Sequence, residues 1–323
     1  MRHNIIIIIL LALISALTAC SDHQEKPITI GIVEPIEHTA LNEIVAGFKE
    51  TLKDQYRKPL IIKVENAQND MNLERAIFQK MKDAHYDIVV PLGTSASQMA
   101  VNMLPNQTVV SLASSLSEKD RTIAKRCNVA VVRDDISGER LLSFVKNAFP
   151  NIKTIMLIHS ADEKVFKEVA DAQTAGRKVG IQVSNRMVTT LSELYPIARS
   201  LPANIDAILI LKDNMIASGA STLAQVAQQK HIPFIASDEG SVLSGADIAL
   251  GVREKQIGIE GGKLAARILQ GKKPCDLPIV EMTVLSVFVN PAHAVVKENM
   301  SSIQKTVSDL HYSMLAMHEK NEG

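Results

Sequence analysis

The chain has 323 residues, 46% hydrophobic and 22% charged, and its 35 basic and 35 acidic side chains cancel to a formal net charge of zero. That composition is globular and the length suits two medium domains, while the absence of a basic stripe interleaved with aromatics excludes nucleic acid as a partner. Tryptophan is absent and aromatics make up 3%, so a ligand pocket here cannot rest on a tryptophan platform.

The chain opens with a polar head, Arg2 and His3, and then an almost wholly apolar run from Ile5 to Ala19. At about fifteen residues the run is shorter than the roughly twenty of a membrane span and has the layout of a secretory signal. Small residues Thr18 and Ala19 lead into Cys20, and "LTAC" resembles the bacterial lipobox. That resemblance implies cleavage before Cys20 and lipid on its thiol and amine. Two or more acyl chains anchor stably where one does so only marginally. Residues 1–19 are therefore expected to be a signal peptide, and 20–27 a lipid anchor and tether. An ordinary signal peptide with an incidental cysteine, or an N-terminal membrane helix, are the alternatives. The remaining cysteines, Cys127 and Cys275, would meet an oxidising compartment after export. A disulfide is one outcome, but sequence alone does not place their Cα atoms within bridging distance, and two isolated thiols are expected. With no CxxC and nine scattered histidines, neither a metal nor another cofactor is expected.

Beyond the tether, apolar runs alternate with amphipathic stretches. "ITIGIV" (28–33) reads as a buried strand, and the next stretch sets Leu41, Ile44, Val45, Phe48 and Leu52 on one helical face. "LIIKVEN" (60–66) is a second strand, after which Asp70 can cap a helix carrying Leu73, Ile77 and Met81. "YDIVVPL" (86–92), a helix from Thr94, and "TVVSLA" (108–113) continue the alternation, and "NVAVV" (128–132) leads to a helix faced by Leu141, Leu142, Val145 and Phe149. "KTIMLIHS" (153–160) begins a second series with "IQVSNRMV", "DAILILK", "IPFIAS" and "DIALGV", and the helix "QIGIEGGKLAARILQG" is stopped by Gly271 and Pro274. "VEMTVLSVFVN" (280–290) is long for one strand and reads as a possible crossover. The last stretch reads as a helix with Met300, Ile303, Val307, Leu310 and Met314 on one face. Continuous apolar strands between helices predict an α/β fold, with two Rossmann-like lobes of parallel strands covered on both faces.

In such sheets ligands bind beyond the carboxyl ends of the strands. The residues following the strands are Glu37 and His38, then Asn66, Gln68, Asn69 and Asp70, then Thr94 and Ser95, then Ser114 and Ser115. In the second series they are His159 and Ser160, Asp213 and Asn214, and Ser237, Asp238 and Glu239. They form a ring of hydrogen-bonding groups with no nucleophile–base pair. "GTSAS" (93–97) can be an anion cradle at a helix start or a simple capped helix. It is neither the G-x-S-x-G elbow, because Ser97 replaces the second glycine, nor a P-loop. Asp213 and Glu239 are either caps or partners for a ligand ammonium group. His38 alone reads as structural.

These phrases together resemble the substrate-binding lipoproteins of ABC importers, of the tryptophan/tyrosine-type family, which is similar to type I periplasmic binding proteins. The resemblance rests on "IGIVEPIEHTALNEIVAGF", "NAQND", "GTSASQ", "NVAVVRDD", "DN" at 213–214, "GADIALGV", "GIEGGKLAARILQGKKP" and "VFVNPAHA", and spans nearly all of 28–297. It implies two lobes joined by three crossovers, with residues 28–135 plus 252–283 in lobe I and 136–251 plus 284–323 in lobe II. Glu37, His38, Asn66, Gln68, Thr94, Asp134, Asp213 and Asn214 stand at its pattern positions. The departures are Ser115-Leu116-Ser117 where the pattern has threonine–aspartate–proline, Arg253-Glu254 where it has aspartate–tyrosine, and Ser95 where it has proline. An acid and a ring-stacking residue are thereby lost, which weighs against an aromatic ligand. The resemblance implies a non-enzymatic, extracytoplasmic, lipid-anchored protein. It would deliver a small ligand, an amino acid or related carboxylate, to the permease and ATPase of an ABC importer. A sensor or adaptor lipoprotein of the same fold is the alternative.

Overall fold

The computed structural model of the protein describes residues 26–121 and 127–318. The expected signal peptide, Cys20 and all of the tether except Lys26 and Pro27 lie outside them.

The first series comprises β1 (Ile28–Glu34), α1 (Thr39–Gln55), β2 (Leu60–Asn66), α2 (Met71–Asp83), β3 (Ile88–Pro91), α3 (Thr94–Met103), β4 (Thr108–Ser111), α4 (Glu118–Arg121) and β5 (Val129–Arg133). The second runs α5 (Gly138–Ala148), β6 (Thr154–His159), α6 (Glu163–Val179), β7 (Gln182–Met187), α7 (Leu194–Arg199), β8 (Ala207–Ile210), α8 (Asn214–Ser218), α9 (Ala220–Lys230), β9 (Phe234–Ala236), α10 (Glu239–Leu243) and β10 (Ile248–Gly251). The chain closes with α11 (Glu254–Leu269), β11 (Val280–Glu281), β12 (Ser286–Val289), α12 (Ala294–Asp309) and β13 (Ser313–Ala316).

Two sheets result, ordered β11-β5-β4-β3-β1-β2 and β13-β12-β10-β9-β8-β6-β7. Among the described residues, the pairings in the first are parallel, and in the second only β10 with β12 is antiparallel. Strands β3, β5, β8, β9 and β10 are buried almost throughout, as expected where helices cover both faces. In each sheet the strand order reverses between the first and third strands, at β1/β3 and at β6/β8. Such switch points open a crevice beyond the strand ends. Within the stretch 280–290 the chain leaves the first sheet at β11 and enters the second at β12.

Three expectations are corrected. The C-terminal stretch is not one helix: α12 ends at Asp309, His311 turns the chain at φ 55°, and Met314 belongs to β13, which supplies hydrogen bonds to the open edge of β12. Leu73 is not on the buried face of α2; it is 37% exposed, and Glu74 turns inward with Ile77, Phe78 and Met81. Cys127 and Cys275 are not isolated thiols. They are joined in a disulfide with Cα atoms 4.8 Å apart, because the turn after α11 returns to the start of β5. Arg121 adds to this join, donating to the carbonyls of Cys275 at 2.6 Å and Leu277 at 2.9 Å.

Candidate functional site: an acid-rich cleft between two switch points

The loops after β1, β3, β6 and β8 meet around a cleft of about 690 Å³. On the first-sheet side, His38, Thr94 and Ser95 line it; on the other, Ser160, Asp162, Lys212, Asp213 and Asn214 do. Asp134, at the end of β5, and Glu254, at the start of α11, form its floor.

The two sides are in contact. Ser95 Oγ donates to Asp162 Oδ2 at 2.6 Å. His38 Nε2 lies 3.2 Å from Asn214 Oδ1, an oxygen that only accepts, so that nitrogen carries the proton. Burial lowers the His38 pKa and keeps the ring neutral, against the pull of Asp238. A Cβ on Gly93, where φ is 87°, would stand 2.9 Å from Asn214 Nδ2, and one on Gly240 would stand 2.5 Å from the Ala40 nitrogen. Glycine at both positions therefore permits the close approach.

A further link is ionic. Lys212 Nζ lies 2.5 Å from Asp134 Oδ2 and 3.4 Å from Glu254 Oε1, and both acids are 3% exposed. Burial opposes the charge on Lys212, but Asp134 and Glu254 outweigh it and raise the ammonium pKa. Burial likewise opposes ionisation of Asp134, and Lys212 and Lys164 overcome it, leaving its pKa low. Glu254 goes the other way: burial pushes it to about 8, with Asp238 and Asp134 adding to the rise, because Lys212 is engaged closer to Asp134.

The start of α3 is open to a ligand. Its N-cap is Gly93, which offers no side-chain acceptor to the first-turn N–H groups. Thr94 Oγ1 is taken by the N–H of Ser115 at 3.0 Å. Asp213 caps α8, accepting from Ile216 N at 3.3 Å and from Ser160 N at 2.6 Å. Burial raises its pKa while these backbone donors lower it, and the rise prevails.

Of the eleven residues expected to bind the ligand, the cleft brings together His38, Thr94, Ser95, Asp134, Asp213 and Asn214, and Asn69, Asp70, Ser160 and Asp238 of the strand-end ring line it too. Five of the eleven, Glu37, Asn66, Gln68, Ser115 and Glu239, are not in its lining. Glu37 is exposed; Asn66 accepts from Gln68 N at 2.7 Å in a local turn; the Ser115 hydroxyl donates to Asp135; Glu239 accepts from Glu254 N at 3.1 Å. Sequence reasoning missed Lys212, Asp162, Glu254 and Glu74. The apolar run "DAILILK" takes Lys212 into the strand, whereas β8 ends at Ile210 and Lys212 stands two residues beyond it, and Asp162 precedes a helix as an N-cap should, accepting from Lys164 N at 3.0 Å. Glu254 stood out only as a departure from the family's aspartate–tyrosine pair, and Glu74 gave no signal beyond that of an ordinary helix acid.

Two αβ lobes, each presenting its switch point to one cleft, define a clamp for a small solute. Comparison with known proteins makes the class specific. Residues 29–310 match the family model described as ABC transporter substrate binding protein, and the chain belongs to that family. It is 35% identical over 281 residues to an uncharacterized protein of Rickettsia prowazekii, covering 87% of this chain and 88% of the other. It is 29% identical over 299 residues to a tyrosine-binding protein of Clostridioides difficile, covering 86% of each. Among solved structures, an ABC domain from Streptococcus pneumonia in complex with L-Trp superposes with a TM-score of 0.79 at 22% identity, covering 90% of this chain and all of the other. The two-lobe fold is thus that of type I periplasmic binding proteins.

Proposed function

We propose that the protein captures an amino acid outside the cytoplasm and presents it to the permease and ATPase of an ABC importer, without chemistry of its own. The observation that carries the reading is the uncapped start of α3, whose first-turn N–H groups border the cleft opposite Asp213 and Asn214. Such a helix start suits a carboxylate, and Asp213 or a neighbouring acid suits the α-ammonium group. The relatives support the ligand class, one being a tyrosine-binding protein and one solved with L-Trp. The Cys127–Cys275 disulfide supports an oxidising compartment, and the lipobox-like segment supports anchoring through Cys20. On this reading lobe I is 28–135 plus 252–283 and lobe II is 136–251 plus 284–323.

Calorimetric titration of the soluble body with the L-amino acids and with their carboxamides tests the assignment. At least one free amino acid is expected to bind and to raise the melting temperature, since it binds only the folded state, while its carboxamide binds more weakly. Failure of every amino acid to bind would remove the proposal.

A further inference from the structure

We propose that the ligand carries a second positive charge at the end remote from its carboxylate, and that Glu74 and Asp162, on opposite lobes, receive it. This deepens the reading above and rests on it. A basic amino acid is the chemical class that fits.

Glu74 is the starting observation. It lies on α2, is 5% exposed and lines the cleft, and its Oε1 has no hydrogen-bond partner among the described residues. A buried carboxyl atom without a donor is uncommon, because the group loses water and gains nothing. Asp162 stands close enough to act on it electrostatically: burial first, then the Asp162 charge, push the Glu74 carboxyl to about 7. Asp162 itself accepts from Ser95 Oγ and Lys164 N, one bond to each oxygen, and a carboxylate has lone pairs beyond those two.

The rest of the cleft agrees. A chain with no net charge nevertheless lines this cleft with eight carboxylate residues and three lysine or arginine residues. Lys212 is held by Asp134 and Glu254, Lys164 lies 3.3 Å from Glu168, and Arg75 is exposed. The excess is therefore negative where the ligand sits. Met71, Met99 and Met103 also line the cleft, and among the described residues no phenylalanine or tyrosine does. Flexible thioethers suit a methylene chain better than they replace a stacking ring. A neutral side chain would leave Glu74 buried against Asp162; an ammonium or guanidinium group would satisfy both.

The test titrates wild type, Glu74→Gln and Glu74→Leu with L-lysine, L-ornithine, L-norleucine and cadaverine. L-norleucine keeps the chain of L-lysine without its terminal charge, and cadaverine keeps two charges without the carboxylate. Wild type is expected to bind L-lysine or L-ornithine at least tenfold more tightly than L-norleucine. Glu74→Gln should lose about ten- to a hundredfold for the basic ligand, the range of a charged hydrogen bond, and Glu74→Leu should bind L-norleucine no worse than wild type does. Equal binding of L-norleucine and the basic amino acids by wild type overturns the inference even if neither variant folds, and so does unchanged L-lysine affinity in Glu74→Gln. Tight binding of cadaverine without any amino acid would sink the carboxylate reading while sustaining the cationic site. Binding of none of the four overturns the inference.

Discussion

Glu74 gives the protein a pH dependence whose sign follows from its surroundings. Its carboxyl titrates near 7 when folded, against 4.5 for an unperturbed glutamate, so the folded state holds the proton more tightly. Stability contributed by that proton is present below the unfolded value and is lost as pH rises through the folded one, a total of about 3 kcal/mol at 1.36 kcal/mol per unit. Glu34, pushed by burial to about 6, adds to the same trend. Chemical denaturation of the ligand-free protein between pH 5 and 8 is expected to show falling stability, with a clearly shallower fall in Glu74→Gln; parallel curves would refute the assignment. A cationic ligand should reverse the trend locally, because it favours the ionised form. The sequence hid this residue for a physical reason. Leu73 and Glu74 are adjacent on α2, and the apolar period selects the leucine for the buried face. The structure rotates the helix so that the acid turns into the cleft and the leucine faces out. Periodicity finds core faces; it cannot find a cleft, which is buried yet polar.

At the scale of elements, strands were legible because parallel strands covered on both faces are continuous apolar runs, as in "IVVP" and "AILI". The strand ends then located His38, Thr94, Ser95, Asp213 and Asn214, since the switch-point rule depends on topology rather than side chains. What stayed illegible depends on tertiary pairing. Nothing in "SMLA" marks it as a strand, and β13 forms because β12 offers an open edge. The disulfide likewise follows from a return across 148 residues. The packing of α1 on α11 is a third such feature, and glycine makes it possible. A Cβ on Gly258 would fall 2.0 Å from the Ile44 carbonyl oxygen and 2.7 Å from the Phe48 nitrogen, both backbone atoms that cannot swing away. Gly258→Ala must therefore push the helices apart, and overpacking of this kind costs about 1–3 kcal/mol. Urea denaturation should show at least that loss. Wild-type stability in the variant would mean the helices are less closely packed than the structure has them.

Across the whole molecule, Lys212 links the two lobes through a buried ion pair. It projects from β8 of the second sheet to Asp134 and Glu254, which follow β5 and open α11 on the side of the first. Removing one partner of a buried ion pair commonly costs 3–5 kcal/mol, because the other charge is left without compensation. In a rigid domain the whole penalty would appear as lost stability. Here a less expensive response exists: the lobes can separate, and water can then reach Asp134 and Glu254. Lys212→Met, which keeps the stem and deletes the charge, is therefore expected to populate an open form. Small-angle scattering of the ligand-free variant should give a larger radius of gyration than wild type, while the far-ultraviolet circular dichroism stays unchanged because the strand pairings lie within each sheet. Acidification should partly close the variant, since without Lys212 burial raises the Asp134 pKa, and its protonation removes the charge left to hydrate. If the radius of gyration is unchanged and only the melting temperature drops, the lobes are held by their other contacts, such as Ser95 with Asp162 and Gly240 against Ala40, and the ion pair sets stability without setting the opening of the clamp.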